Sequence, residues 1–239
     1  MTRRPALLLF LATLVWAQPL KPPVEIFNLV RMNLSHISDY QVDMKIKVAM
    51  PGFRMPGKKV HYAFKVPDKV KLETSGFAVV PRQGILPFYN ELMNDTLKIA
   101  AETLESTQLE GQQVWVVAFQ DTFYNQDALI KLWVGDPSGV ILKGVATIGG
   151  EDVFTLTSEY KNIDDIAFLP MNTKIELKLP AKMKTLKHLN SSPQAKMEMM
   201  ESRRDTSKAP VEGHIDLTFT KYRVNQGIPD SYFEKKNDD

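Results

Sequence analysis

The sequence contains no cysteine. That absence excludes a disulfide framework, a thiolate nucleophile, thiolate metal sites and a lipid-modified cysteine behind an export signal. Histidine is scarce as well, and His36, His61, His188 and His214 share no ligand spacing. There is no HExxH pair, no Gly-x-Ser-x-Gly elbow and no phosphate-cradling glycine loop. Glu151-Asp152 and Asp164-Asp165 are adjacent carboxylates, but both fall at expected turns, where solvated side chains are the ordinary outcome. No catalytic residue, cofactor or metal is expected. Neither sign of charge dominates: the formal net charge of +2 gives no reason to expect a nucleic-acid partner.

The N-terminus does carry one long apolar run. Arg3 and Arg4 precede ALLLFLATLVWA, residues 6–17, and Gln18-Pro19 follows. A charged start, a short apolar stretch, and Val15 and Ala17 at its end fit a secretory signal peptide cut after Ala17. The run is short for a membrane-spanning helix, and no later run is long enough for one. The expectation is an exported, periplasmic chain with one domain over 18–239. Without disulfides, the stability of that domain must come from a sizeable core.

Periodicity defines the class. Pro22 and Pro23 suit a helix start, and Val24, Phe27, Val30 and Leu34 then recur at helical spacing over 22–38. From Tyr40 the period becomes two: Tyr40, Val42, Met44, Ile46 and Val48 alternate with polar residues. Similar alternation follows at Val60–Val66 and Val70–Thr74; strands return over 95–105 and 113–122, the second apolar on both faces and so expected to be central, and 130–163 reads as a meander with the Gly149-Gly150 pair as a hairpin turn. Thr173–Leu179 and His214–Phe219 alternate again. Residues 81–94 read as a short helix or lid-like loop, and 181–211 as a polar, flexible insert without an apolar stripe. The fold expected is α+β, mainly β: about ten antiparallel strands in a strongly curved open half-barrel wrapped over the N-terminal helix.

One turn is unusual. AMPGFRMPGKK, residues 49–59, holds two Pro-Gly pairs, so it reads as a turn region and not a continuous strand. Its tip nevertheless carries Phe53 and Met55 among Arg54, Lys58 and Lys59. Two readings stand, contact with a membrane or cargo and a plug folded back onto the core. The apolar surplus elsewhere is equally open between a packed core and a greasy cavity. An acidic side chain at Ile46 would block ligand uptake in a cavity and unfold the chain in a packed core.

Four stretches resemble the LolA/LolB family of periplasmic lipoprotein carriers, including LolA-like outer-membrane lipoprotein-sorting proteins. They are YQVDMKIKVAM behind the helix, HYAFKVPDKVKLET, LWVGDPSGVILKGVAT with VFTLTSEYKNI, and the ending LTFTKYRVNQGIPDSYFE. TSGFAVVPRQGILPFYNELMN departs from the family's Asp-Gly turn and aromatic strand, and 181–211 has no counterpart. The resemblance implies a soluble, monomeric carrier that binds acyl chains of lipoproteins or lipids in the half-barrel for transfer to the outer membrane, without chemistry. It also implies a lipid-binding set of Met44, Ile46, Tyr62, Phe64, Leu72, Phe77, Phe88, Trp115 and Trp133. Phe53, Arg54, Met55, Lys58 and Lys59 would make transient contact with membrane or cargo. The alternative on the same fold is a periplasmic sensor domain that binds a regulatory protein and transports nothing.

Overall fold

Two prolines open the helix. In the computed structural model, which describes residues 19–51, 53–74, 80–81, 101–123, 126–179, 189–190 and 211–234, α1 spans Pro23–Leu34 with Pro22 as its extended cap. Proline is tolerated there because the first helical N–H groups have no intrahelical acceptor. The buried side is Ile26, Phe27 and Val30, whereas Val24, expected on that stripe, is 60% exposed. At about 100° per residue, Ile26 lies about 200° around the helix from Val24, so only one of them can face the sheet.

The sheet begins with a meander of β1 (Asp39–Met50), β2 (Phe53–Lys65) and β3 (Lys69–Thr74). β4 (Val80–Pro81) lies outside it. A second meander follows: β5 (Glu102–Leu109), β6 (Gln112–Phe123), β7 (Gln126–Gly135), β8 (Ile141–Ile148), β9 (Glu151–Ile163) and β10 (Ala167–Leu179). β11 (Leu189–Asn190) pairs only with β4, and β12 (Val211–Val224) returns between β10 and β1. The result is one ten-stranded antiparallel sheet, ordered β3-β2-β1-β12-β10-β9-β8-β7-β6-β5. Its terminal strands β3 and β5 do not pair with each other, so the half-barrel is open. The signal segment, Phe77, Phe88 and most of 81–94 and 181–211 lie outside the described residues.

The 49–59 stretch departs from its sequence reading. Pro51 is in a turn, and the chain is already strand from Phe53 onward. Met55 pairs with Val48 and Lys58 with Ile46, so Pro56 and Gly57 together oppose Lys47. This two-against-one arrangement is a β-bulge, a place where a strand tolerates a proline that cannot donate to the ladder. The Gly149-Gly150 pair behaves as expected: both residues have positive φ, +60° and +86°, in the two-residue turn between β8 and β9. β6, whose apolar run suggested a central strand, is next to last in the order.

One large core fills the concave side, with Ile26, Phe27 and Val30 of α1 set against Val42, Ile46 and Leu132 of the sheet. The helix backbone comes close to the β7–β8 turn. There Gly139 has φ +65°, and an added Cβ would overlap the Leu29 carbonyl group.

The C-terminus is tied back by a buried carboxylate. Asp39 is 2% exposed and accepts the backbone N–H groups of Gln226 and Gly227, each at 3.0 Å. Asn225 adds bonds from its side-chain amide to the His36 carbonyl and from Ser38 N–H to its Oδ1. Asp39→Ala leaves two backbone donors without acceptors. The expected loss is about 1–3 kcal/mol in urea titration, with a smaller loss for Asp39→Asn, which keeps one acceptor.

Candidate functional site

Alternation along β1 and β2 sends Met44, Ile46 and Tyr62 to the concave face, where their exposures are 2%, 0% and 5%. They belong to the same packed cluster as Ile26 and Phe27. Beneath α1 the face is therefore filled by the protein itself. The helix does not cover all of it. Tyr62 lies opposite Leu72 and Phe64 opposite Val70, so these four side chains share one face in adjacent registers. Phe64 is half-buried, while Leu72 and Val70 are 37% and 48% exposed. Together they form an apolar shelf that continues the core toward the β3 edge.

Aromatic rings support this shelf. Tyr40 stands 5.7 Å from Tyr62, 5.5 Å from Phe64 and 6.1 Å from Tyr222 between ring centroids. The Tyr222 hydroxyl donates to the Pro170 carbonyl at 2.7 Å. Burial pushes the Tyr62 phenol up to about 12, against a weaker opposing hydrogen bond with Tyr40, and raises the Tyr222 phenol as well. Both stay neutral at physiological pH. The floor of the shelf thus carries no charge that an apolar ligand would have to desolvate.

The two tryptophans go elsewhere. Trp115 is buried, and its Nε1 donates to Asp136 Oδ2 at 2.8 Å, the oxygen that also takes Lys21 Nζ at 2.8 Å. Burial works against the Asp136 charge, but the hydrogen bonds from Lys21 and Trp115 and the lysine's charge outweigh it and lower the pKa. Trp115 therefore braces the β7–β8 turn. Trp133 alternates with Ile130, Leu132 and Val134, whose even positions enter the main core, so it lies on the opposite face. Its ring packs beside Val114, Val140 and Leu142 and receives the Lys143 ammonium at 4.8 Å. Of the residues implied by the resemblance, the structure brings Tyr62, Phe64 and Leu72 together at the shelf. Met44, Ile46 and Trp115 lie under the helix, and Trp133 is separate. Phe77 and Phe88, and the side chains of Phe53, Arg54 and Met55, fall outside what is described.

Val70 belongs to the shelf although the sequence reading did not single it out. The signal was present, because Val70 and Leu72 are two apart on one strand and share a face. At the far end of the sheet an open cleft of about 590 Å³ reaches the core at Met50, Phe154 and Leu177. Its rim includes Asp152, Glu176, Lys178 and Glu212, so it is charged where the shelf is apolar. Among the described residues no cluster of histidine and carboxylate groups could hold a metal ion, and no helix is long and apolar enough to cross a membrane.

No family model matches the sequence, and no curated protein does. Solved structures do match. A domain described as an outer membrane lipoprotein-sorting protein, from Vibrio parahaemolyticus, superposes at TM-score 0.53 with 13% identity, covering 87% of this chain and 95% of that one. A DUF1329 family protein from Desulfovibrio piger superposes at TM-score 0.55 with 12% identity, covering 89% and 97%. The chain thus shares its fold, an open antiparallel half-barrel that packs a helix among the described residues, with that outer membrane lipoprotein-sorting protein domain and that DUF1329 family protein.

Proposed function

We propose that the protein is an exported, non-enzymatic carrier that holds an acyl chain of a lipid or lipoprotein on the concave face of its half-barrel for transfer toward the outer membrane. One observation supports this most: the exposed apolar shelf of Val70 and Leu72 beside Phe64 and Tyr62. Exposed apolar side chains that extend a core, on an uncharged aromatic floor, suit a flexible hydrocarbon with no polar groups of its own. Each methylene removed from water there contributes about 0.8 kcal/mol, so a few contacts give measurable affinity. The polar end of such a ligand would remain in solvent at the β3 edge.

The test is uptake of a fluorescent fatty acid by the protein with Leu72→Glu. A carboxylate beside the bound chain should weaken binding at least tenfold, on the order of 1.4 kcal/mol or more. Because Leu72 is partly exposed, the thermal melt should shift little. Unchanged uptake would remove the shelf from consideration. A second reading, a sensor that pairs with a protein, draws on the outer edges of β3 and β5, which have no strand partner among the described residues. Organic extraction of protein purified from its own cells separates the two, since co-purified lipid favours the carrier.

A further inference from the structure

We propose that the C-terminal strap, residues 228–233, is a latch that holds the edge strand β3 from the convex side and so sets how firmly the shelf on its concave side grips an acyl chain. β3 has little else to hold it. None of its six residues is buried, and among the described residues it pairs with β2 alone. Strand parity divides its side chains: Val70 and Leu72 face the shelf, and Lys69, Lys71 and Glu73 face outward with Lys65 of β2. All four outward groups bind the strap. Lys65 donates to the Ile228 carbonyl and to Asp230 Oδ1, each at 2.7 Å, and Lys69 reaches Asp230 Oδ2 at 2.7 Å. Lys71 donates to the Tyr232 carbonyl, and its ammonium lies 4.4 Å from the centroid of that ring. The Tyr232 hydroxyl in turn donates to Glu73 at 3.2 Å. Ala63, in register with Lys71, is fully buried, so this part of the outer face is covered and not solvated.

The strap is fixed at one end and lightly held at the other. Asp39 binds the N–H groups of Gln226 and Gly227, and Ile228 is buried, so the chain is anchored up to that point. Beyond it no residue of the 3-10 turn Asp230–Phe233 is buried, and the contacts to β3 are polar. Exposed ion pairs of this kind contribute little singly. The anchor nevertheless presents them together at high effective concentration, which gives a closed but reversible latch. Lys65 and Lys69 hold the Asp230 carboxyl down to about 2, so it stays ionised at physiological pH, and salt rather than acid loosens the contact. A ligand on one face of β3 and the strap on the other order the same strand, so each favours the other's binding. Drawing the strap away therefore releases the acyl chain. The inference rests on the carrier reading for the identity of the ligand, and on the contacts above for the latch.

The experiment compares the full chain with its variant Asp230→Ala, Tyr232→Ala. Hydrogen exchange should show the amides of β3 opening about tenfold faster, with those of β7 and β8 unchanged. A bound fluorescent fatty acid should dissociate about tenfold faster, while the thermal melt moves little. Raised salt should speed release from the wild type and have less effect on the variant. Asp230→Glu keeps the charge and should stay near the wild type. Tyr232→Phe keeps the ring over Lys71, loses only the bond to Glu73, and should fall between. As a control, Glu159→Ala removes an exposed carboxylate elsewhere, one bound by Asn172 at 2.7 Å, and should change neither rate. Unchanged exchange in β3 would overturn the latch, and so would faster exchange with unchanged fatty-acid release. A rise in β7 and β8 exchange equal to that in β3, or a collapse of the melt, would make the strap part of the general fold and overturn it too. If the wild type takes up no fatty acid, the carrier reading falls, and exchange in β3 alone decides whether the strap holds the strand.

Discussion

Ile46→Glu is expected to leave the chain unfolded at room temperature. Ile46 is 0% exposed and sits on β1 between Leu217 of β12 and Lys58 of β2 in the registers of its neighbours. Its side chain lies wholly buried in the core cluster among apolar groups, and the one charge in register with it, Lys58, is only half-buried. A carboxylate there must remain charged at a cost of several kcal/mol or take up a proton against its solution preference. The buried aliphatic contacts of isoleucine are lost as well, so the expected destabilisation is about 5 kcal/mol or more. Domains commonly have about 5–15 kcal/mol in total, which puts the variant at or beyond the limit. Far-ultraviolet circular dichroism checks this directly. Leu72→Glu introduces the same charge at a partly exposed position and should keep the native spectrum. If Ile46→Glu folds and merely loses uptake, the space under α1 is a cavity and the core described above is wrong.

Gly139→Val should destabilise by roughly 3–5 kcal/mol, for two reasons that act together. The backbone has φ +65°, which costs an L-residue about 1–2 kcal/mol and a β-branched one more. A Cβ would also overlap the Leu29 carbonyl and come within 3.0 Å of Val30 N. Those are backbone atoms of α1, so no rotamer change relieves the clash. The helix would have to lift, and with it the burial of Ile26, Phe27 and Val30. Gly150→Val is the control: its φ is +86° and nothing lies within 4 Å, so only the backbone cost applies. Equal melting temperatures for the two variants would show that α1 is not seated on the β7–β8 turn.

How much of this was legible in the sequence varied by element. The half-barrel was, because a strand's side-chain period is two and most of the long strands carry one apolar face, β6 with its unbroken run 114–119 being an exception. The alternation from Val42 to Val48 matches their burial residue by residue. The helix was placed correctly and its stripe partly misassigned, since Val24 and Ile26 both fit an apolar pattern and only contact with the sheet chooses between them. Pro56-Gly57 read as a turn because the dipeptide is compatible with turn and bulge alike, and the partner strand's register settles which one forms. The candidate site was less legible. Strand parity identifies the concave face but not how far a helix covers it, so Met44 and Ile46 could not be told from Phe64 and Leu72. Trp133 fell on the other side because residue type alone does not carry parity, while its neighbours Leu132 and Val134 do.

The return of the last strand to the middle of the sheet constrains how the chain can reach its native state. β12 pairs with β10 on one side and β1 on the other, so Tyr40 meets Val224 across nearly the whole described length. Until that strand is available, the β1–β3 and β5–β10 meanders have no ladder between them, and the concave core they share with α1 stays incomplete. Contacts this distant in sequence close slowly, because a large loop entropy must be lost before any pairing compensates it. A chain emerging from the ribosome therefore cannot complete this architecture before its C-terminal region has been made. An unfinished or C-terminally clipped copy would present two open strand edges and a bare apolar face, the combination that invites aggregation and proteolysis.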